Sequence, residues 1–295
     1  MVQVTIRGFS TVRSAALAGG LGLALLLPLT GCGGTSNWNG KAETLEAKED
    51  TSAIPVEDLY NRGVDALNSQ RYTVAVNQFD LVEQNFPYSS WAVNAQLMQG
   101  YAQYLANHYT DAIGVLDRFI QLHPASRDIA YAYYLRALCY YEQIADVTRD
   151  QKGTLEAMDA LQEVVNRFPE SPYGRDARLK IDLARDHLAG HEMEIGRWYQ
   201  SQHLYTAALG RFQAVVTNYQ TTNHVAEALH RLVEIYLTLG LTDEARRTAA
   251  VLGANYPGSS WYQDSYRDLV DDGVIKDEGG SHGSSLVGRA WHAIF

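Results

Sequence analysis

The chain has 295 residues, 46% of them hydrophobic, and a formal net charge of -10. That is long enough to bury a sizeable core, and the acidic balance excludes the basic footprint of a nucleic-acid binder. Two cysteines, Cys32 and Cys139, allow at most one disulfide.

In chain order, the first element is a targeting segment, residues 1–31. Arg7 and Arg13 precede an apolar run from Ala15 to Leu27. The run is shorter than the roughly 20 apolar residues a membrane span needs, and charge followed by a short apolar core is the pattern of a secretory signal. Its end reads Leu29-Thr30-Gly31-Cys32, which resembles the lipobox of bacterial lipoproteins. The resemblance implies that the Cys32 sulfur takes a diacylglycerol, that the chain is cut before it, and that the new amino group is acylated. Several acyl chains, at about 0.8 kcal/mol per buried methylene, make a stable anchor. Gly33 follows where inner-membrane retention in enteric bacteria uses Asp, which favours the outer membrane. Lipidation leaves Cys139 alone, in an apolar Tyr-rich stretch where it reads as a small buried hydrophobe.

Residues 32–53 are polar and small. They read as a flexible tether that holds the body roughly 25 Å from the anchor. From 54 to 270 the apolar residues recur at three and four, the period of helices. One phrase returns along this body: Phe86-Pro87, His123-Pro124, Phe168-Pro169 and Tyr256-Pro257, with Tyr219-Gln220 as a fifth that lacks the proline. Pro87 and Pro124 are 37 residues apart, near the tetratricopeptide period of about 34. Twelve residues before each phrase end stand Ala75, Ala112, Ala157, Ala208 and Ala245; eight before stand Phe79, Leu116, Leu161, Phe212 and Ala249. Gly63, Gly100, Gly196 and Val233 hold the place where paired helices cross, and Ala137 fits it in repeat three only past an insertion at Asp146 to Gly153. The expected fold is all-α: a tetratricopeptide-repeat superhelix of five helix pairs, with the insertion in repeat three and an extended helix before repeat four. Residues 271–295 read as an acidic, Gly/Ser-rich flexible tail.

Several phrases go beyond a generic repeat. They are Leu59-Tyr60-Asn61, Asn85-Phe86-Pro87-Tyr88-Ser89, Asp117-Arg118-Phe119-Ile120, the insertion Asp146 to Asp150, Arg185-Asp186, Val215-Val216-Thr217-Asn218-Tyr219-Gln220-Thr221-Thr222, and Tyr256-Pro257 leading to Trp261-Tyr262. With the lipobox, they resemble the BamD family of the outer-membrane β-barrel assembly machinery over nearly the whole chain. The resemblance implies a lipid-anchored protein on the periplasmic side of the outer membrane. It implies partners: a BamA-type barrel protein bound mainly by the C-terminal repeats, accessory Bam lipoproteins, and unfolded outer-membrane proteins received by the N-terminal repeats. It also makes Arg211, on the second helix of repeat four, a candidate to pair with an acidic group of BamA.

The repeat register gives candidates for a peptide groove. Repeats one to three contribute Tyr60, Asn68, Asn94, Tyr101, Tyr104, Tyr131, Tyr134 and Tyr141; repeats four and five contribute Arg197, Gln200, Glu227, His230 and Glu234. Tyrosine offers a broad apolar face and a hydroxyl at low entropic cost, which suits an extended peptide with apolar or aromatic side chains. The alternative to groove is core packing between helices. No enzyme signature stands out: His187 and His191 are four apart with Glu192 and Glu194 near, but not in the His-Glu-x-x-His order of a zinc hydrolase. The expectation is therefore a non-enzyme with no metal and no cofactor besides the lipid on Cys32. The other function weighed is a periplasmic repeat scaffold of cell-division or peptidoglycan complexes. That alternative lacks a lipobox and has a coiled coil, whereas this chain has the lipobox and no heptads.

Overall fold

The structure, a computed structural model, describes residues 53–276. The signal segment, Cys32, nearly all of the tether and the tail from 277 onward lie outside the described residues. Eleven α-helices and no strand occur among the described residues: α1 (Val56–Asn68), α2 (Tyr72–Asn85), α3 (Ser90–Leu105), α4 (Tyr109–Leu122), α5 (Ile129–Tyr141), α6 (Lys152–Arg167), α7 (Pro172–Ser201), α8 (Tyr205–Asn218), α9 (Val225–Thr238), α10 (Thr242–Asn255) and α11 (Ser260–Asp271). Each packs on the next in the chain, as expected when short connections join antiparallel helices.

The steric code of the repeats explains the pairing. The alanines at 75, 112, 157, 208 and 245 have no exposed surface, nor do Phe79, Leu116, Leu161, Phe212 and Ala249. Each bulky side chain sits against the small residue of the partner helix. A Cβ placed on Gly63 would lie 2.6 Å from Phe79 Cε1, and one on Gly100 2.9 Å from Leu116 Cδ2. Such approaches leave no room for a side chain. The loop phrase has its own logic. A residue before proline avoids helical backbone, so the helix stops at Phe86, Phe168 or Tyr256. Two residues past the proline, Ser89, Ser171 and Ser259 cap the next helix, accepting from the N–H of Ala92, Gly174 and Tyr262 at 3.1, 2.9 and 3.3 Å.

Two features differ from the sequence reading. The extended helix does not precede repeat four but is continuous with it. α7 runs for 30 residues; its first part packs on α6, and its last part crosses α8 at Gly196, where a Cβ would meet Phe212 Cε1 at 2.5 Å. The ordered body also passes the boundary expected at 270. α11 includes Asp271, and Ile275 is buried against Val233, Ala245, Ala249 and Leu269. The helix thus closes the apolar face that repeat five would otherwise expose.

The segment between α5 and α6, residues 142–151, carries the insertion. It is held on α7 by side chains: His187 Nε2 contacts Ala145 O at 2.7 Å, and His191 Nδ1 contacts Val147 O. Both histidines are thereby occupied as clips for the insertion. Among the described residues, no helix is long and apolar enough to cross a membrane.

Candidate functional site: a tyrosine cleft and a charged half

The first helices of repeats one to three bring part of the predicted set together; Tyr101, Tyr104, Tyr134 and Tyr141 are not among the residues of the cleft they form. Tyr60, Asn94 and Tyr131 line a single cleft of about 320 Å³, with Leu97, Met98, Arg127, Asp128 and Tyr173. Asn94 is exposed; Tyr60, Tyr101, Tyr104, Tyr131, Tyr134 and Tyr141 are all half-buried. Asn68 is exposed at the end of α1 and is not among the cleft residues. The tyrosines therefore are neither free groove walls nor closed core; each packs one ring face and leaves part of itself to solvent. Tyr60 leans on Phe79 and Trp91, at ring-centre distances of 5.5 and 5.0 Å. Tyr101 packs where the cores of the first two repeats meet. Tyr131 and Tyr134 both pack on Tyr173, at 5.5 and 5.3 Å, the second pair stacked. Tyr141 lies under Lys180 Nζ at 4.9 Å.

Two of their hydroxyls donate to carboxylates, Tyr104 to Glu142 and Tyr134 to Asp176. Burial, helped by Glu142, pushes the Tyr104 phenol up to about 12, and its OH donates to Glu142 Oε1 at 3.3 Å. Burial and a hydrogen bond to Asp176 raise Tyr134 as well, and burial raises Tyr131. The Cys139 thiol, fully buried below this surface, is likewise pushed up to about 12 by burial, so it is no nucleophile at neutral pH.

Tyr173 is the member the repeat register missed, because it belongs to the extended helix. A signal was present: Trp91, Tyr173 and Trp261 each stand four residues past a loop proline. In the fold each ring lies over the first helix of the preceding repeat, on Tyr60, on Tyr131 and Tyr134, and on His230.

Repeats four and five carry charge in place of aromatics. Arg197 binds Glu194 at 2.6 Å and Glu227 at 3.0 Å, and Glu234 accepts from Gln200 at 3.0 Å and Arg231 at 2.9 Å. His230, expected in the groove lining, is instead 5% exposed. α11 covers it: Ser265 Oγ is 2.9 Å from Nδ1, and the Trp261 ring stands 5.3 Å away. Arg211 is not free either. Its Nη1 contacts the Glu192 carboxylate of α7 at 3.0 and 3.3 Å, while 41% of its side chain stays exposed. Hydrogen bonding to Glu192 raises its pKa further above the ordinary value.

Comparison with known proteins gives this geometry a context. A family described as "Outer membrane lipoprotein" (YfiO) matches residues 52–252. A protein of Caulobacter vibrioides named "Outer membrane protein assembly factor BamD" is 50% identical over 83% of this chain and 78% of its own length. The protein of that name from Rickettsia prowazekii is 47% identical over 75% of this chain and 89% of its own. Among solved structures, a thermophilic tetratricopeptide protein of Thermus thermophilus is similar at 17% identity, over 74% of this chain and 98% of that one, with a TM-score of 0.34. With half its residues shared with one such relative across most of both chains, this chain belongs to the BamD family of outer-membrane protein assembly factors.

Proposed function

We propose that this chain works as a lipid-anchored, non-catalytic adaptor on the periplasmic face of the outer membrane. Cys32 carries the lipid. Repeats one to three hold an extended, unfolded outer-membrane protein segment, and repeats four and five dock a BamA-type barrel protein with its accessory lipoproteins. The observation that carries the client half is the cleft between Tyr60, Asn94, Tyr131 and Tyr173. It is apolar on its ring faces, polar at Asn94, Arg127 and Asp128, and drawn from the first helices of three repeats, which suits side chains of an extended peptide.

The test is photocrosslinking of a peptide from the C-terminal strand of a barrel protein. Tyr134→Ala would lose the Tyr173 stack and the Asp176 bond, and so would confound binding with stability. Asn94→Ala and Tyr131→Phe avoid this, since Asn94 is exposed and phenylalanine keeps the ring. Asn94→Ala is expected to cut crosslinking several-fold with the melting temperature unchanged within a degree or two, because exposed substitutions stay within about 0.5 kcal/mol. Tyr131→Phe should fall between it and wild type. Undiminished crosslinking in Asn94→Ala would remove the cleft from the client path.

The anchor is tested separately. Cys32→Ala should leave unprocessed precursor or protein released from the outer membrane, and labelled palmitate should no longer enter the chain. Label incorporated into that variant would sink the assignment.

A further inference from the structure

α9 and α11 bring together a mixed set of metal-ligating side chains outside the tyrosine cleft. His230 and Glu234 are one turn apart on α9, and Asp268 faces them from α11; one nitrogen or oxygen from each lies within 4.8 Å of the other two. His230 is 5% exposed, so its ring position is set by packing against Trp261. With Nδ1 against Ser265 Oγ at 2.9 Å, the other nitrogen, Nε2, faces Glu234 Oε1 at 3.5 Å. If the Nδ1–H donates to Ser265, Nε2 presents a lone pair to a carboxylate oxygen, and that pairing is repulsive unless a cation stands between.

The spacing admits either of the two cations available, a proton or a metal ion. An N–H···O bond closes to roughly 2.7–3.2 Å. A tetrahedral zinc with ligand distances of about 2.0–2.1 Å has ligand–ligand edges of about 3.4 Å, close to the gap observed. The surroundings fit the second case. Glu234 Oε2 is held by Arg231 and Gln200, which orients Oε1 toward the imidazole; Ser265 does the same for His230. Outer partners of this kind are what fixes first ligands in metal sites. On the open side lies a cleft of about 450 Å³ walled by Glu234, Asp268, Asp271 and Asp272 with Leu237 and Thr238, and no basic residue.

We propose that His230, Glu234 and Asp268 form a zinc site that clips the closing helix α11 to repeat five, with the fourth position open to water in the acidic cleft. Asp268 offers the third ligand oxygen, within 4.8 Å of the other two ligand atoms; its Oδ2 lies 4.0 Å from Nδ1, on the side of the ring that Ser265 holds. One imidazole and two carboxylates suit Zn²⁺ better than the all-oxygen preference of Ca²⁺ or Mg²⁺.

The test uses the full chain, purified in detergent and stripped with EDTA. Calorimetric titration with ZnCl₂ is expected to give one site per chain and a raised melting temperature. Cobalt should show the visible absorption of a four-coordinate ion. Asp268→Asn keeps the side-chain shape and should weaken zinc by roughly tenfold or more while melting like the wild type without metal. His230→Gln removes a buried ring and can unfold on its own account, so Asp268→Asn decides. Equal zinc affinity in wild type and Asp268→Asn would overturn the proposal. So would a melting temperature that follows pH and ignores zinc, since a proton would then fill the gap.

Discussion

Phe212→Ala is expected to destabilise the protein by about 3–5 kcal/mol. Phe212 has no exposed surface and packs within the largest apolar cluster, among Met193, Val215, Leu229 and Leu232. Domains of this kind are stable by only about 5–15 kcal/mol, so one ring removes a large part of the total. The neighbouring glycine gives the prediction its specificity. Gly196→Ala alone should cost about 1–3 kcal/mol by overpacking, since its Cβ would meet the ring at 2.5 Å. In the Phe212→Ala background the same methyl enters vacated space, and its cost should shrink by at least about 1 kcal/mol, as expected for residues in contact. Denaturant unfolding of the four proteins of this cycle measures the coupling. Additive losses would mean that α7 and α8 do not meet at this crossing.

Arg211→Glu is expected to abolish co-purification of the BamA-type partner, an effect of about 2–5 kcal/mol if a desolvated charge pair is reversed. The same change should cost the isolated chain about 1–2 kcal/mol, because Arg211 is 41% exposed but Glu192 only 20%, and the reversal sets two carboxylates side by side. The intramolecular pair raises a question that one further variant resolves. Glu192→Gln releases Arg211 without altering it. If Arg211 serves the partner, Glu192→Gln keeps or tightens the complex. If Arg211 serves only to latch α8 to α7, Glu192→Gln should imitate Arg211→Glu, and the role in docking falls.

The repeat core was legible in the sequence because its constraint is local and periodic. An alanine at 75, 112, 157, 208 and 245 is needed wherever two helix axes approach, and the requirement recurs at a countable spacing. Part of the cleft lining was legible for the same reason: Asn94 and Tyr131 stand six residues before the crossing residues Gly100 and Ala137, Tyr60 stands three before Gly63, and the three meet in one cavity. What the register could not supply were contacts made outside it. Tyr173 joins the cleft from a helix that breaks the period. His230 is buried by α11, an element that follows the last repeat and obeys no repeat rule. The partnership of Arg211 with Glu192 depends on the crossing of α7 and α8, set by Gly196 and Phe212 rather than by either charged residue. His187 and His191, four apart, carry no metal motif in the sequence, and their role as clips was invisible there; the insertion supplies the backbone carbonyls that occupy them.

The continuity of α7 gives the array a gearing. A helix advances about 1.5 Å and turns about 100° per residue, so the residue count between Pro172 and Ser201 sets not only the separation but the angular phase between what its two ends carry. The Tyr173 end lies in the tyrosine cleft and the Gly196 end crosses α8. An inserted or deleted residue between them would rotate one surface around the helix axis by more than a quarter turn, and only changes of near-integral turns would leave the two in register. Elsewhere in the chain a loop between helices can absorb a length change. In α7 there is no such slack, and the relative aim of the surfaces at its two ends is written into the length of a single helix.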